Sequence, residues 1–310
     1  MQLTSRLCFG CEPLGGADWG DVNIDEIKRA LVRSLELGWN FIDTAAIYGL
    51  GASERHIGEV TQVKARQTVI ATKIGIAPLG PFSENSRATV VRVLDPDLLT
   101  AQIWSSLARL QTNYLPLVYL HYPDKNCSPV AVTQVIGSFI KEGLVGGYGL
   151  SNFGLDDIKS YHSLLPISAV QFECSMLDTE RHTEVLQLVE WCRRNHVLSV
   201  AYGVLKKGLL SGKFGLKYPT FDHEDRRSRL DIFKGEDYIQ YVGRIEKIKK
   251  LVNSTDYKLS AIAIRYILDV MNIDVAIVGI KNETQVVENN QASQFCLLGD
   301  AIEIIKRALE

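Results

Sequence analysis

Four polar residues of this chain stand where β-strands should end. Asp43 and Tyr48 lie in Asn40-Phe-Ile-Asp-Thr-Ala-Ala-Ile-Tyr-Gly49, Lys73 closes Val69-Ile-Ala-Thr-Lys73, and His121 closes Leu117-Val-Tyr-Leu-His121. A carboxylate, a phenol, an ammonium and an imidazole in one place can move a proton at a carbonyl. Reduction of a carbonyl needs hydride at carbon and a proton at oxygen. Tyrosine alone is a poor acid near neutrality, because its unperturbed pKa is about 10. A lysine ammonium beside it favours the phenolate and lowers that value. A carboxylate orients the lysine, and a histidine can hydrogen-bond the substrate oxygen. Tyr48 would then be the general acid, with Lys73, Asp43 and His121 in support. Singly, each residue has an ordinary structural use as a cap, a rim residue or a loop anchor. Their order along the chain is far more specific than any one of them.

The elements that would gather them are short strands alternating with amphipathic helices. The expected strands are Arg6–Gly10, Phe41–Asp43, Thr68–Lys73, Leu117–His121, Gly146–Leu150, Ala169–Glu173, Leu198–Tyr202 and Val275–Val278. Helical patterns lie between them, for example Asp25–Leu37, Asp97–Leu110, Val130–Glu142 and Glu184–Asn195. The first carries Ile27, Leu31, Ser34 and Leu35 at helical spacing, acids in its first turn and Gly38 past its end. Repeated β-then-α units predict an α/β fold with a parallel sheet. Eight of them predict a closed (β/α)8 TIM barrel, residues 1–310 forming a single domain. Such a barrel gathers the C-terminal ends of its strands around one pocket.

Three segments exceed what barrel connections need. Ile74–Pro96 holds Gly-Pro, polar residues and the arginines Arg87 and Arg92, which would attract an anionic substrate or simply face solvent. Val204–Glu236 holds Lys206, Lys207, Lys213 and the charged run His223–Arg229. Both follow motif-bearing strands, so both are read as long loops on the C-terminal face that build a site. The tail after Ala292 is helical in composition at Ala301–Leu309 and is expected to pack outside the barrel.

Composition removes several function classes. Hydrophobic residues make up 46% and charged residues 23%, enough for a large core and against disorder. A net charge of −2 gives no basic face for nucleic acid. Apolar runs are strand-sized, so no membrane span is expected, and no signal peptide is read at the N-terminus. Six scattered cysteines suit reduced thiols and a cytoplasmic location. Cys8-Phe-Gly-Cys11 has the spacing of a redox or metal pair, but no second pair or nearby histidine completes a metal site.

The succession Asp43-x4-Tyr48-Gly, a strand ending Thr-Lys73, then His121-Tyr-Pro-Asp124 resembles the signature of the aldo-keto reductase family, and the match runs through most of the chain. The resemblance implies a catalytic tetrad of Asp43, Tyr48, Lys73 and His121. It also implies a nicotinamide cofactor on the C-terminal face, in keeping with the lack of a Gly-x-Gly-x-x-Gly after any strand. Gly149-Leu-Ser151-Asn152-Phe153 looks like the motif for the nicotinamide amide, with Gln171 as third partner and Asp43, Gly10 and Cys11 alongside. Ser151-Asn152 reads equally as a helix cap before Leu155.

Tyr202 matches the aromatic that stacks on the nicotinamide ring. It is followed by Gly203, Val204 and Leu205 where the family pattern is Ser-Pro-Leu. Lys206-Lys207-Gly-Leu-Leu210-Ser211-Gly-Lys213 resembles the pyrophosphate loop, with a solvated charge run as the ordinary alternative. Gly279, Lys281, Gln285, Glu288 and Asn289 resemble the adenosine-phosphate motif. A cation at Lys281 favours NADP(H), with NAD(H) still open because no arginine stands at position 285.

The expected partner is a small carbonyl or alcohol substrate. Glu12 is expected either to bind a hydroxylated or amino substrate or to pair with a loop lysine or arginine. Trp19 and Tyr122, with Tyr48 and His121, are expected to wall the substrate pocket. Three other readings remain at this level. One is an NAD(P)-dependent sugar or aldose dehydrogenase running oxidatively. Another is a cofactor-binding regulatory subunit with slow chemistry, and the third is a phosphate-site barrel isomerase. Oligomeric state is not legible.

Overall fold

The computed structural model describes residues 2–61, 68–79, 89–252 and 256–309. Its strands are β1 (Leu7–Gly10), β2 (Phe41–Asp43), β3 (Val69–Ile74), β4 (Ile76–Leu79), β5 (Thr89–Arg92), β6 (Leu117–Leu120), β7 (Tyr148–Ser151), β8 (Ala169–Glu173), β9 (Leu198–Tyr202) and β10 (Val275–Gly279). Eight of them close into a parallel barrel in the order β1-β2-β3-β6-β7-β8-β9-β10 and back to β1. All eight expected strands are therefore present. His121 falls one residue beyond β6, but its N–H still bonds the Ile74 carbonyl at 2.9 Å, which holds it in register.

One expectation changes. The segment after Lys73 is not simply a loop, because β4 and β5 form an antiparallel hairpin with Ile76 opposite Arg92. It follows β3 and so rises from the C-terminal face. Arg87 lies outside the described residues.

The side-chain alternation of strands explains the site. In β3, Val69 and Ala71 join a cluster inside the barrel, whereas Ile70 and Ile74 pack outward on the helices. Lys73 shares the parity of Ala71 and points inward. The same rule, anchored by Cys8, Phe41, Leu117, Tyr119, Ala169, Val200, Val275 and Ile277 in the inner cluster and by the pairing of Ser151 with Gln171, assigns inward positions at or just past the C-terminal ends of the barrel strands. These positions are Gly10, Asp43, Lys73, His121, Ser151, Gln171, Tyr202 and Gly279. Apolar side chains fill the barrel below, and the polar layer closes its C-terminal mouth.

The surrounding helices are α1 (Ile24–Glu36), α2 (Ala52–Thr61), α3 (Pro96–Arg109), α4 (Pro129–Lys141), α5 (Leu155–Leu164), α6 (His182–Arg194), α7 (Gly235–Val252), α8 (Leu259–Arg265), α9 (Glu283–Asn290) and α10 (Gly299–Leu309). Local chemistry sets their starts. The Asn23, Asp95 and Asn282 side chains accept hydrogen bonds from the first turns of α1, α3 and α9. α10 packs against α7, outside the barrel as expected. Among the described residues no helix is long and apolar enough to cross a membrane.

Candidate active site

Tyr48 is not on a strand, and its place depends on two tight turns. Residues Tyr48–Gly51 turn with Gly49 at φ +55°, and a Cβ there would lie 1.9 Å from the Gly15 carbonyl oxygen. Only glycine allows that approach of two backbones. The turn continues into α2, whose Glu54 is fully buried. Glu54 accepts from Thr72 Oγ1 at 2.5 Å and from Arg109 Nε at 2.6 Å, tying α2 to the outer side of β3 and to α3.

Inside the mouth, Lys73 Nζ donates to Asp43 Oδ1 at 2.5 Å and to the Thr44 carbonyl at 2.9 Å. It stands 3.4 Å from the Tyr48 hydroxyl. Both members of the ion pair are buried. The Tyr48 and His121 rings meet edge to face with centroids 6.2 Å apart, and Tyr122 stacks on His121 at 5.2 Å. The sequence-predicted tetrad is thus one cluster.

Burial pushes the Tyr48 phenol well above its ordinary pKa, with the charges of Glu12 and Asp43 adding to the rise. The expected depression by Lys73 is not what dominates. The ammonium already carries Asp43 as counter-ion, so the pair is close to neutral as seen from the phenol. Burial, then the positive charges of Lys73 and Arg92, push His121 well below the ordinary histidine range. At neutral pH the cluster therefore holds a protonated phenol facing a neutral imidazole, whose buried Nδ1 has no hydrogen-bond partner among the described residues.

A run of hydrogen bonds extends from the tetrad across the mouth. Gln171 Nε2 donates to Asp43 Oδ2 at 2.8 Å, and Ser151 Oγ donates to Gln171 Oε1 at 3.3 Å. Asn152 Nδ2 donates to Ser151 Oγ and to the His121 carbonyl, and Tyr202 Oη donates to Asn152 Oδ1 at 2.7 Å. Helix α5 begins instead at Gly154, with no side-chain cap. Ser151 and Asn152 therefore serve the mouth, and the cap reading of them is set aside.

The cleft above this layer has a volume of about 1850 Å3 and reaches from Tyr48 and His121 to Lys281, Gln285, Glu288 and Asn289. Its far end is basic. Lys213, Arg227 and Lys281 crowd there, and only Arg227 has an ion-pair partner among the described residues, Asp225 at 2.5 Å. Lys281 Nζ donates to the Trp19 carbonyl at 2.7 Å. Burial, with the charges of Arg227 and Lys213, lowers its pKa to about 8. The Gln285 side chain accepts from the Lys281 N–H, and Glu288 sits 3.5 Å from Lys258. The Trp19 ring faces Arg226, Arg227 and Lys281.

Gly10, Cys11, Gly203, Val204, Leu205, Lys207, Ser211 and Gly279 also line the cleft. Leu210 does not. It is fully buried in the core, because positive φ at Lys207 and Gly208 turns the next residues inward. Lys207 is 3.5 Å from Glu173, and Lys206 pairs with Asp178, so neither is a free cation. Glu12 pairs with Arg226, which is the loop-arginine alternative. Sequence reasoning did not assign roles to Arg226, Arg227 and Asp225. Their charged run was visible, but Arg226 pairs with distant Glu12, while Asp225 and Arg227 pair with each other and Arg227 reaches the cleft only through the fold.

The family model described as "Aldo/keto reductase family" matches residues 6–310. The chain is 27% identical over 312 residues to aldo-keto reductase YhdN of Bacillus subtilis, covering 99% of this chain and 90% of that one. It is 26% identical over 294 residues to the NADH-specific methylglyoxal reductase of Escherichia coli, covering 92% and 88%. Among solved structures, the glycerol dehydrogenase of Gluconobacter oxydans superposes with a TM-score of 0.88 at 25% identity, covering 98% of this chain and 91% of that one.

Proposed function

The chain belongs to the aldo/keto reductase family, and from that premise we propose that it reduces an aldehyde or ketone to an alcohol with a nicotinamide cofactor, NADP(H) in preference to NAD(H). The observation that carries this reading is the Tyr48 hydroxyl, 3.4 Å from Lys73 Nζ and across from His121, at the mouth of the barrel.

When bound, the nicotinamide supplies the hydride. The residues of the cleft fit such a group. Ser151, Asn152 and Gln171 offer amide and hydroxyl groups for a carboxamide, and Tyr202 offers an aromatic face. At the other end, where burial and then the charges of Arg227 and Lys213 lower the Lys281 pKa to about 8, an anion would relieve the crowding of cations. Lys281 and Lys213 would hold phosphate charge, and a 2′-phosphate is the group that distinguishes NADP(H). The NADH-specific relative in Escherichia coli makes this preference a matter for measurement.

The chain's own chemistry is proton transfer. A substrate carbonyl between Tyr48 and His121 accepts a hydrogen bond from each. Tyr48 gives up its proton as negative charge builds on the oxygen, and the resulting phenolate is stabilised by Lys73 Nζ. Buried Asp43 keeps that ammonium in place. The alternative, oxidation of a sugar or polyol, uses the same groups but must begin from a Tyr48 phenolate. Because burial raises the phenol's pKa, oxidation should rise with pH while reduction persists through neutrality.

The test is fluorescence titration with NADPH and NADH, together with turnover of an aldehyde panel by wild type and Tyr48→Phe. The variant should keep cofactor affinity and lose about 10²–10⁴-fold in turnover. Failure of the wild type to bind either nucleotide would sink the oxidoreductase reading.

A further inference from the structure

Resting on the reductase reading above, we propose that Arg92 anchors an anionic group of the substrate, so that the carbonyl compound reduced here carries a carboxylate or a phosphate. The argument begins with the charges around the reacting end of the cleft. Lys73 is paired with Asp43, Lys207 with Glu173 and Arg226 with Glu12. Each acid there is answered by the protein itself. Arg92 lines the same space and makes no ion pair or hydrogen bond among the described residues.

Arg92 is exposed, but its backbone is fixed. It sits at the root of the β4–β5 hairpin, opposite Ile76. That root is fixed from both sides. Gln102 of α3 accepts from the Gly75 N–H at 2.7 Å and donates to the Ile76 carbonyl at 2.8 Å. Beyond Arg92, the Val93 N–H bonds the Gly75 carbonyl and the Leu94 N–H bonds Asp124 Oδ2.

The guanidinium lies 3.9 Å from the centre of the Tyr122 ring, Tyr122 stacks on His121, and His121 meets Tyr48. A relay of three rings thus fixes the cation relative to the point where the carbonyl is reduced. A guanidinium lying on a ring keeps its N–H edge for acceptors in its own plane, which suits a carboxylate or phosphate. Its field reaches His121, where it helps keep the imidazole neutral. A short spacer between carbonyl and anion would let both ends of the substrate be held at once.

The experiment compares matched substrates, with NADPH, in wild type, Arg92→Gln and Arg92→Lys. One pair is 4-oxobutanoate against butanal. The other is glyceraldehyde 3-phosphate against glyceraldehyde, so that the two anions are distinguished. Wild type should favour the charged member, and Arg92→Gln should lower its kcat/KM by about 10- to 100-fold, chiefly through KM. The neutral members should lose far less than the charged ones, and Arg92→Lys should recover part of the difference. Succinate, which cannot be reduced, should bind wild type holoenzyme and lose affinity in Arg92→Gln. Equal charged-to-neutral ratios in wild type and Arg92→Gln, with brisk turnover of butanal, would overturn the role of Arg92 and leave the reductase reading intact. Absence of turnover on all four would overturn both.

Discussion

The two ends of the cleft handle charge in opposite ways. At the reacting end, Asp43 and Lys73 sit on neighbouring barrel strands, buried and satisfied by each other, by Gln171 and by the Thr44 carbonyl. At the far end, Lys213, Arg227 and Lys281 stand on loops and beside a helix start, with one carboxylate, Asp225, between them. The first arrangement is complete without a ligand. The second is a concentration of like charge that an anion would relieve. On the proposed reading, the finished pair fixes geometry for proton transfer and the unfinished cluster supplies affinity.

The contrast can be broken most forcefully at the completed pair. Lys73→Met leaves Asp43 charged and buried with Gln171 as a hydrogen-bond donor but no counter-ion, and breaking such a pair costs about 3–5 kcal/mol. Thermal unfolding should show a large fall in Tm, and turnover should be lost in the fraction that still folds. A stable, active Lys73→Met protein would refute the view of this end as a closed unit. At the open end, Lys281→Met removes a cation from a crowded set, so stability should hardly move. The Kd for NADPH should instead rise about 10-fold or more, from loss of a charge-assisted contact, while that for NADH moves far less. Equal losses for the two nucleotides would place Lys281 away from the 2′-phosphate.

The smallest effect concerns protons. Lys281 has a pKa lowered to about 8 in the free protein, and a phosphate beside it would raise that value again. Above pH 8 NADPH binding should therefore take up a fraction of a proton, and affinity should fall as pH rises through 8. Calorimetry in two buffers of different ionisation enthalpy would read this directly. Lys281→Met should abolish the uptake.

Much of this was legible in the sequence because short apolar runs are local. They gave every barrel strand and set Asp43, Lys73 and His121 at strand ends, whereas Ser151 and Gln171 were reached only through the family resemblance and the inward direction of all five came from the structure. The β4–β5 hairpin was not legible. Its strands are four residues each, one contains Pro78, and they are held by each other rather than by an apolar stripe. The Glu12–Arg226 pair was anticipated only as a kind of partner, since nothing local links residues 214 positions apart. Leu210 was misplaced because its direction depends on positive φ at Lys207, a backbone feature with no side-chain signature there. The rise of the Tyr48 pKa was missed for a similar reason, since residue types reveal which charges are near but not how deeply the phenol is buried.

The hydrogen-bonded run Tyr202–Asn152–Ser151–Gln171–Asp43–Lys73 crosses five strands, each side chain holding the next. In terms of mutability, these residues behave as one unit. Replacing any one of them strands its neighbour's donor or acceptor, so single changes are penalised and compensating pairs must arrive together. Arg92, Glu12 and Lys281 stand outside the run on loops and hairpin. Substitutions there break no such chain, so on the proposed reading substrate and nucleotide preference can be changed one residue at a time without disturbing the hydrogen-bonded layer.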